Sequence, residues 1–268
     1  MLALVSIGLV AGVLLATRRY GTRMVLTPAG LLCMAGVLAA GPSVGVAPLM
    51  GLIAGFQVER RQSYGQVVAA TAAPGAGLGV WLLFGQEEAE RHELAARLSA
   101  QLEAMGMEPP QAGYSLQEMV SVVLRVQPAV GFLELLLIVV VAYRLSLWAG
   151  PRLQLALPPA LPFAQWRPWE EIIWVLIAGL ALGLVGSGLA VDAGANLAVV
   201  AAGLYVVQGL ALLQHLLRRG RVPRLLEVLI YVVLLLTSGL ALIVLAAMGL
   251  LDTWFDWRGL RAADTERG

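Results

Sequence analysis

The sequence predicts an all-α polytopic membrane protein, a compact bundle of about eight transmembrane helices of about 20 residues each. The mean hydropathy is +0.82, and only 13% of the 268 residues are charged, whereas a soluble domain carries about 25%. The apolar residues form long unbroken runs, unlike the alternating strands of an outer-membrane barrel. These observations exclude a soluble globular protein and a transmembrane barrel.

Eight apolar runs are candidate spans. They are Met1–Ala16, Met24–Ala40, Val44–Val58, Tyr64–Phe84, Val126–Trp148, Trp169–Val191, Asn196–Leu217 and Leu225–Leu251. The first and third are short, and only Gly41–Ser43 joins the second to the third. That pair is therefore either a hairpin across a thin membrane or a re-entrant loop.

The arginines predict which loops face the cytoplasm. The chain contains no lysine, so its eighteen basic residues are all arginine. Twelve of them follow spans one, three, five and seven, and none lies in the short loops on the opposite side. Because cytoplasmic loops are enriched in basic residues, the alternation predicts that these four loops are cytoplasmic and that both termini lie outside.

Three segments interrupt the spans of what we predict to be a single membrane domain, residues 1–268. Residues 85–125 form an extracytoplasmic helical insertion, in which a capping box at Ser115 and Glu118 begins a helix that runs into span five. Residues 151–168 are too rich in proline for a regular helix and form an interfacial loop on the cytoplasmic side. Residues 252–268 form an amphipathic tail at the outer interface.

Two local features of the spans are also predicted. Pro128 lies where it would kink the helix of span five. Asp192 and Asn196 bracket a tight outer turn between spans six and seven, with Asn196 as the N-cap of span seven.

Most membrane-embedded chemistry is excluded by residue type and position. Without lysine there is no serine–lysine dyad, and Ser187 and His215 are predicted to lie about 25 Å apart along the helices. His92 and His215 fall on opposite sides of the membrane, and Cys33 is the single cysteine, so neither a zinc site nor a disulfide is expected. We predict no enzyme activity, no metal and no cofactor, and a net charge of +1 gives no reason to expect nucleic-acid binding.

Polar residues within the spans are the candidate ligand site. Glu134 lies about 12 Å into span five, where a charged side chain is costly and therefore a functional candidate. Spans seven and eight bring polar groups to a similar depth, so a cavity in the outer half is predicted from Glu134, Tyr205, Gln208, Thr237 and Ser238. The structural alternatives are hydrogen bonding between helices for Tyr205 and Gln208, bonds to their own backbone for Thr237 and Ser238, and a neutral structural carboxyl for Glu134.

The loop after span seven is the second candidate site. Arg218, Arg219, Arg221 and Arg224 lie within seven residues beside a helix end. Such a cluster attracts anionic lipid headgroups, or it contacts a membrane or cytoplasmic protein partner.

The C-terminal third resembles the YybS-like family of uncharacterised bacterial membrane proteins. The residues that carry the resemblance are Asn196, Gln208–Ala211, His215–Arg219, Pro223, Tyr231 and Gly249–Asp256. Gly41, Pro42, Gly45, Gly51 and Gly55 resemble the glycine-proline hairpin of the substrate-binding S components of energy-coupling-factor transporters and of the cell-shape protein MreD. The resemblance implies a multi-pass protein of the bacterial cytoplasmic (inner) membrane with an S-component-like core.

Two functions follow from these observations. The first is a small-molecule binding or transport subunit that resembles S components and uses the cavity around Glu134. The second is a non-catalytic scaffold whose arginines bind anionic lipid or a cytoplasmic or cell-envelope complex. A cavity large enough for a metabolite would favour the first function, and an interior filled by side chains would favour the second.

Overall fold

The computed structural model describes residues 2–40, 42–60, 62, 66–68, 70–72, 74, 77, 88–106, 115–159 and 162–260. Within this part of the chain all regular structure is helical, as predicted. The helices are α1 (Leu2–Tyr20), α2 (Thr22–Ala40), α3 (Pro42–Glu59), α4 (Glu88–Ala104), α5 (Leu116–Ala149), α6 (Ile172–Val185), α7 (Leu189–Arg219), α8 (Arg224–Leu236) and α9 (Ser238–Phe255). Most of the predicted fourth span, residues 107–114 and residues 261–268 lie outside the described residues.

Eight spans are not confirmed. Among the described residues, four helices are long and apolar enough to cross a membrane: α1, α2, α5 and α7. A fifth span results if α8 and α9, which are bent by 112° relative to each other, count as one. The predicted third and sixth spans correspond to the shorter apolar helices Val44–Glu59 and Ile172–Val185. This count covers the described residues alone, and most of the predicted fourth span lies outside them.

The contacts divide the chain into two units, Met1–Ala160 and Leu161–Gly268, where the sequence predicts a single bundle. In the first unit, α3 packs against both α1 and α2. Glycines allow this close approach: a Cβ at Gly51 would lie 2.7 Å from the Val10 carbonyl oxygen, and one at Gly55 would lie 2.5 Å from the Thr17 Cβ. These two glycines face α1, and Gly45 faces α2, where a Cβ would lie 3.0 Å from the Cys33 carbonyl oxygen. The pair α2 and α3 is therefore a tightly packed helical hairpin.

Arginines gather at one end of the first unit. The Glu59 carboxylate at the end of α3 accepts hydrogen bonds from the Thr22 backbone N–H (3.1 Å) and hydroxyl (2.7 Å), so it caps α2. The segment after α5 reaches the same end, because Arg18 Nε donates to the Ala156 carbonyl oxygen at 3.2 Å. The exposed arginines of this end are Arg18, Arg19, Arg23, Arg60, Arg144 and Arg152. Their common position agrees with the predicted arrangement of the loops after spans one, three and five.

The predicted capping box begins α5. Ser115 Oγ accepts from the Glu118 N–H at 3.2 Å, and the Glu118 carboxylate accepts from the Ser115 N–H at 2.9 Å. The helix then continues without a break through Pro128 to Ala149. The start of the insertion's second helix was therefore predicted correctly.

In the second unit, the turn between α6 and α7 lies elsewhere than predicted. The chain turns at Gly186–Gly188, where Gly188 has φ of +53°, a conformation that glycine adopts readily. Asn196 is not an N-cap, because it lies within α7, where its side-chain amide donates to the Asp192 carbonyl oxygen at 2.8 Å. The predicted turn at Asp192 and Asn196 is wrong, since the glycines four residues earlier break the helix first.

The predicted eighth span is interrupted at Thr237. Its hydroxyl donates to the Val233 carbonyl oxygen at 2.8 Å, a bond that favours helix bending. Of the two parts of this predicted span, α9 packs closely along α7 and α8 does not. The bend separates α8 from the span.

The proline-rich loop, residues 151–168, contains short 3-10 helices and no α-helix, as its prolines predict. Its first part bonds within the first unit, where the Tyr143 hydroxyl donates to the Pro158 carbonyl oxygen at 2.9 Å. Its last part bonds to the tail, because Arg258 Nη1 donates to the carbonyl oxygens of Ala164 (3.1 Å) and Trp166 (2.8 Å). The sequence placed this loop and the tail on opposite sides of the membrane, whereas the last part of the loop contacts the tail. The sides themselves stay predictions.

Candidate functional site

The five residues of the predicted ligand cavity are divided between the two units. Glu134 lies in the first unit on an exposed face of α5, next to Val130 (52% exposed) and Leu137 (62% exposed). The other four residues belong to the second unit, where Tyr205 and Gln208 lie on α7, Thr237 lies between α8 and α9, and Ser238 begins α9. The cavity around Glu134 therefore stays a prediction.

Gln208 forms a hydrogen bond between two helices, which is the structural role predicted for it as the alternative to ligand binding. Its amide Nε2 donates to Asp252 Oδ2 at 3.0 Å, which links α7 to α9. Tyr205, one helical turn earlier on α7, is buried. Thr237 bonds its own backbone, and Ser238 begins α9.

A buried ion pair joins this hydrogen bond. Arg258 donates to Asp252 Oδ2 from Nε at 3.0 Å and from Nη2 at 2.7 Å. Both side chains are almost fully buried, and the remaining guanidinium nitrogen of Arg258, Nη1, donates to the end of the proline-rich loop. Asp252 Oδ1 is buried without a hydrogen-bond partner among the described residues. We call Gln208, Asp252 and Arg258 the polar cluster.

A cavity of about 20 Å³ adjoins the polar cluster, which is room for a single water molecule. Its lining includes Thr253 and Asp256 from the end of α9 and Arg167–Glu170 from the segment before α6. This cavity is too small for a metabolite. No group of three or more His, Cys, Asp or Glu side chains in the described residues is arranged to hold a metal ion.

The arginine loop between α7 and α8 lies on the surface. Arg218, Arg219, Arg221 and Arg224 are all exposed. Within the described residues none of the four takes part in an ion pair. Their charges are available to an external anion.

One family model, described as "Predicted membrane protein (DUF2232)", matches residues 1–253. The chain belongs to the DUF2232 family. No curated protein and no solved structure matches it. The match to DUF2232 supports an uncharacterised membrane-protein family and spans both units, while the more specific YybS-like, S-component and MreD resemblances stay predictions.

Sequence reasoning missed the polar cluster of this DUF2232 protein. Asp252 and Arg258 were assigned to an interfacial tail, since both follow an apolar run and stand among Trp254, Phe255 and Trp257. The three aromatic residues are indeed exposed, but the two charged residues point inward. Asp256, with φ of +43°, ends α9 and turns the chain so that Arg258 returns to Asp252. The distinctive sequence Leu251–Asp256 was the available signal for this cluster, but it does not indicate that Asp252 pairs with Gln208 and Arg258.

Proposed function

We propose that this DUF2232 protein is a non-catalytic scaffold of the bacterial cytoplasmic membrane, which binds anionic lipid through Arg218, Arg219, Arg221 and Arg224. The observation that carries the proposal is the exposure of all four arginines without acidic partners in the described part of the chain. The residues of the polar cluster, Gln208, Asp252 and Arg258, are bonded to one another, and the cavity beside them has room for about one water molecule. Both features favour a scaffold over a subunit that carries a metabolite.

The experiment replaces all four arginines by glutamine. Each arginine near an anionic surface contributes about 1 kcal/mol, so the variant should retain much less phosphatidylglycerol than the parent protein. Native mass spectrometry of protein extracted in mild detergent measures the retained lipid. The matched control is Arg97→Gln, which removes an exposed arginine that is paired with Glu93 on α4 and should leave lipid retention unchanged. Equal retention by the quadruple variant and the parent would contradict the proposal.

A small-molecule binding or transport subunit is the second candidate. The observation that favours it is Glu134, because an exposed carboxylate on an apolar helix face within a span needs water, a ligand or a partner. This role would involve the first unit, where Glu134 lies, rather than the small cavity of the second.

A further inference from the structure

The register between α7 and α9 locates both ends of α8. A Cβ at Gly249 would overlap the Tyr205 carbonyl oxygen, and one at Gly209 would overlap the Leu245 carbonyl oxygen. Tyr205 of α7 thus lies beside Gly249 of α9, and Gly209, four residues later on α7, lies beside Leu245, four residues earlier on α9. The two helices are therefore antiparallel. Continued to the start of α9, this register brings Ser238 level with Leu216. The end of α8 therefore lies level with the last turn of α7. The start of α8, Arg224, follows the end of α7 by five residues. Both ends of α8 thus lie at the level of the arginine loop.

The angle at Thr237 agrees with this register. The bend of 112° between α8 and α9 is 22° past a right angle. If α9 follows the membrane normal together with α7, then α8 lies close to the membrane plane. Its 13 residues are about 20 Å long, which is too short to cross about 30 Å of hydrocarbon.

The faces of α8 differ in polarity. Arg224, Glu227 and Tyr231 recur at helical spacing on one face. The opposite face exposes large apolar side chains, Leu225 (84%), Leu229 (54%), Val232 (45%) and Leu236 (79%). No described side chain of α8 is buried. A helix with these two faces, preceded by basic residues, fits the boundary between headgroups and acyl chains.

We infer that α8 is an in-plane anchor, which lies in the headgroup layer of anionic phospholipid on the side of the arginine loop. The apolar face enters the acyl region, while Arg224, Glu227 and Tyr231 face water and headgroups. The exposed arginines of the loop supply the charge complementarity that selects an anionic surface. This inference rests on the proposed lipid binding of the four arginines and adds the geometry of the helix that follows them.

Cysteine accessibility tests the inference. Single cysteines replace Glu227, Tyr231, Leu225 and Leu229 in a Cys33→Ala background, with Gly220→Cys as a positive control on the same side. A membrane-impermeant maleimide is added to inverted membrane vesicles, which expose the cytoplasmic side. We expect Glu227→Cys and Tyr231→Cys to be labelled as Gly220→Cys is, and Leu225→Cys and Leu229→Cys to be protected. Leu225, Leu229 and Gly220 are exposed, and Glu227 and Tyr231 are half-exposed, so the substitutions should not disturb folding. A monodisperse size-exclusion profile of each purified variant verifies this.

Two labelling patterns would overturn the inference. If α8 entered the bilayer as part of a span, Tyr231 would lie about 10 Å below Arg224 and would be protected together with Leu229. If α8 lay in water, all four cysteines would be labelled.

A lipid comparison separates this inference from the proposed function. In proteoliposomes of phosphatidylcholine alone, Leu229→Cys should become labelled, whereas added phosphatidylglycerol should protect it; equal protection in both would overturn the anionic part of the inference. Reduced lipid retention by the quadruple glutamine variant without the alternating labelling refutes only the in-plane helix. Alternating labelling with unchanged retention refutes only the lipid-binding function.

Discussion

Gln208 and Glu134 show two ways in which a polar residue is accommodated in an apolar helix. Gln208 is buried and bonds to Asp252, 44 positions along the chain. Glu134 is exposed among apolar neighbours of α5. A polar side chain within a span therefore identifies a residue of interest, but its burial and contacts decide whether it holds helices together or meets something outside the unit.

The ion pair of Asp252 and Arg258 should dominate the stability of the second unit at the residue scale. Arg258→Met leaves a buried carboxylate with only the Gln208 amide, and removal of one partner from a buried pair costs about 3–5 kcal/mol. The double variant Asp252→Leu with Arg258→Met removes both charges and should recover most of that loss. Thermal unfolding in detergent measures both changes.

An exposed ion pair is the control for this prediction. Arg97 and Glu93 are one turn apart on α4, and both are largely exposed, so Arg97→Gln should cost less than about 0.5 kcal/mol. If Arg258→Met were as mild as Arg97→Gln, the polar cluster would not stabilise the unit.

At the scale of helices, the glycines of α9 are not equivalent. Gly249→Ala should destabilise the pair α7 and α9, because the new methyl group would overlap the backbone of Tyr205. Gly239→Ala on the same helix meets nothing within 4 Å and should be neutral or slightly stabilising, since alanine favours helix more than glycine does. Thermal unfolding of the two variants, compared with the parent, tests the contact. Equal stability of the two variants would contradict the close packing.

Local signals in the sequence predicted one helix start correctly, but they predicted neither the helix breaks nor the start of α7. Ser115 and Glu118 form a capping box whose two bonds need only neighbouring residues, so the start of α5 was predictable. The break at Gly186–Gly188 and the bend at Thr237 lie inside apolar runs, where hydropathy stays high on both sides. The pairing of Asp252 with Gln208 and Arg258 depends on the antiparallel register of α7 and α9 and on the turn at Asp256, which no local pattern specifies.

Charge is distributed unevenly in each unit of the whole molecule. In the first unit six exposed arginines gather where α1 ends and α2 begins, and α3 and α5 end there as well. In the second unit four arginines lie at the end of α7, while Asp252 and Arg258 neutralise each other away from that end. Since basic residues stay in the cytoplasm during insertion, each unit carries its own orientation signal.

These signals predict the orientation of the whole chain. A cysteine at Glu103, at the end of the insertion's helix α4, should react with an impermeant maleimide added to intact cells carrying the Cys33→Ala background. Cysteines at Tyr20, beside Arg18 and Arg19, and at Gly220, within the arginine loop, should react only after the cells are permeabilised. The physical reason is the same at both protected positions, because moving several arginines across the membrane is far more costly than keeping them in the cytoplasm. Labelling of Tyr20→Cys and Gly220→Cys in intact cells, with Glu103→Cys protected, would invert the orientation. If only one of Tyr20→Cys and Gly220→Cys were labelled in intact cells, the arginines of that unit would not face the cytoplasm. The lipid-binding proposal requires that Gly220→Cys is the protected one.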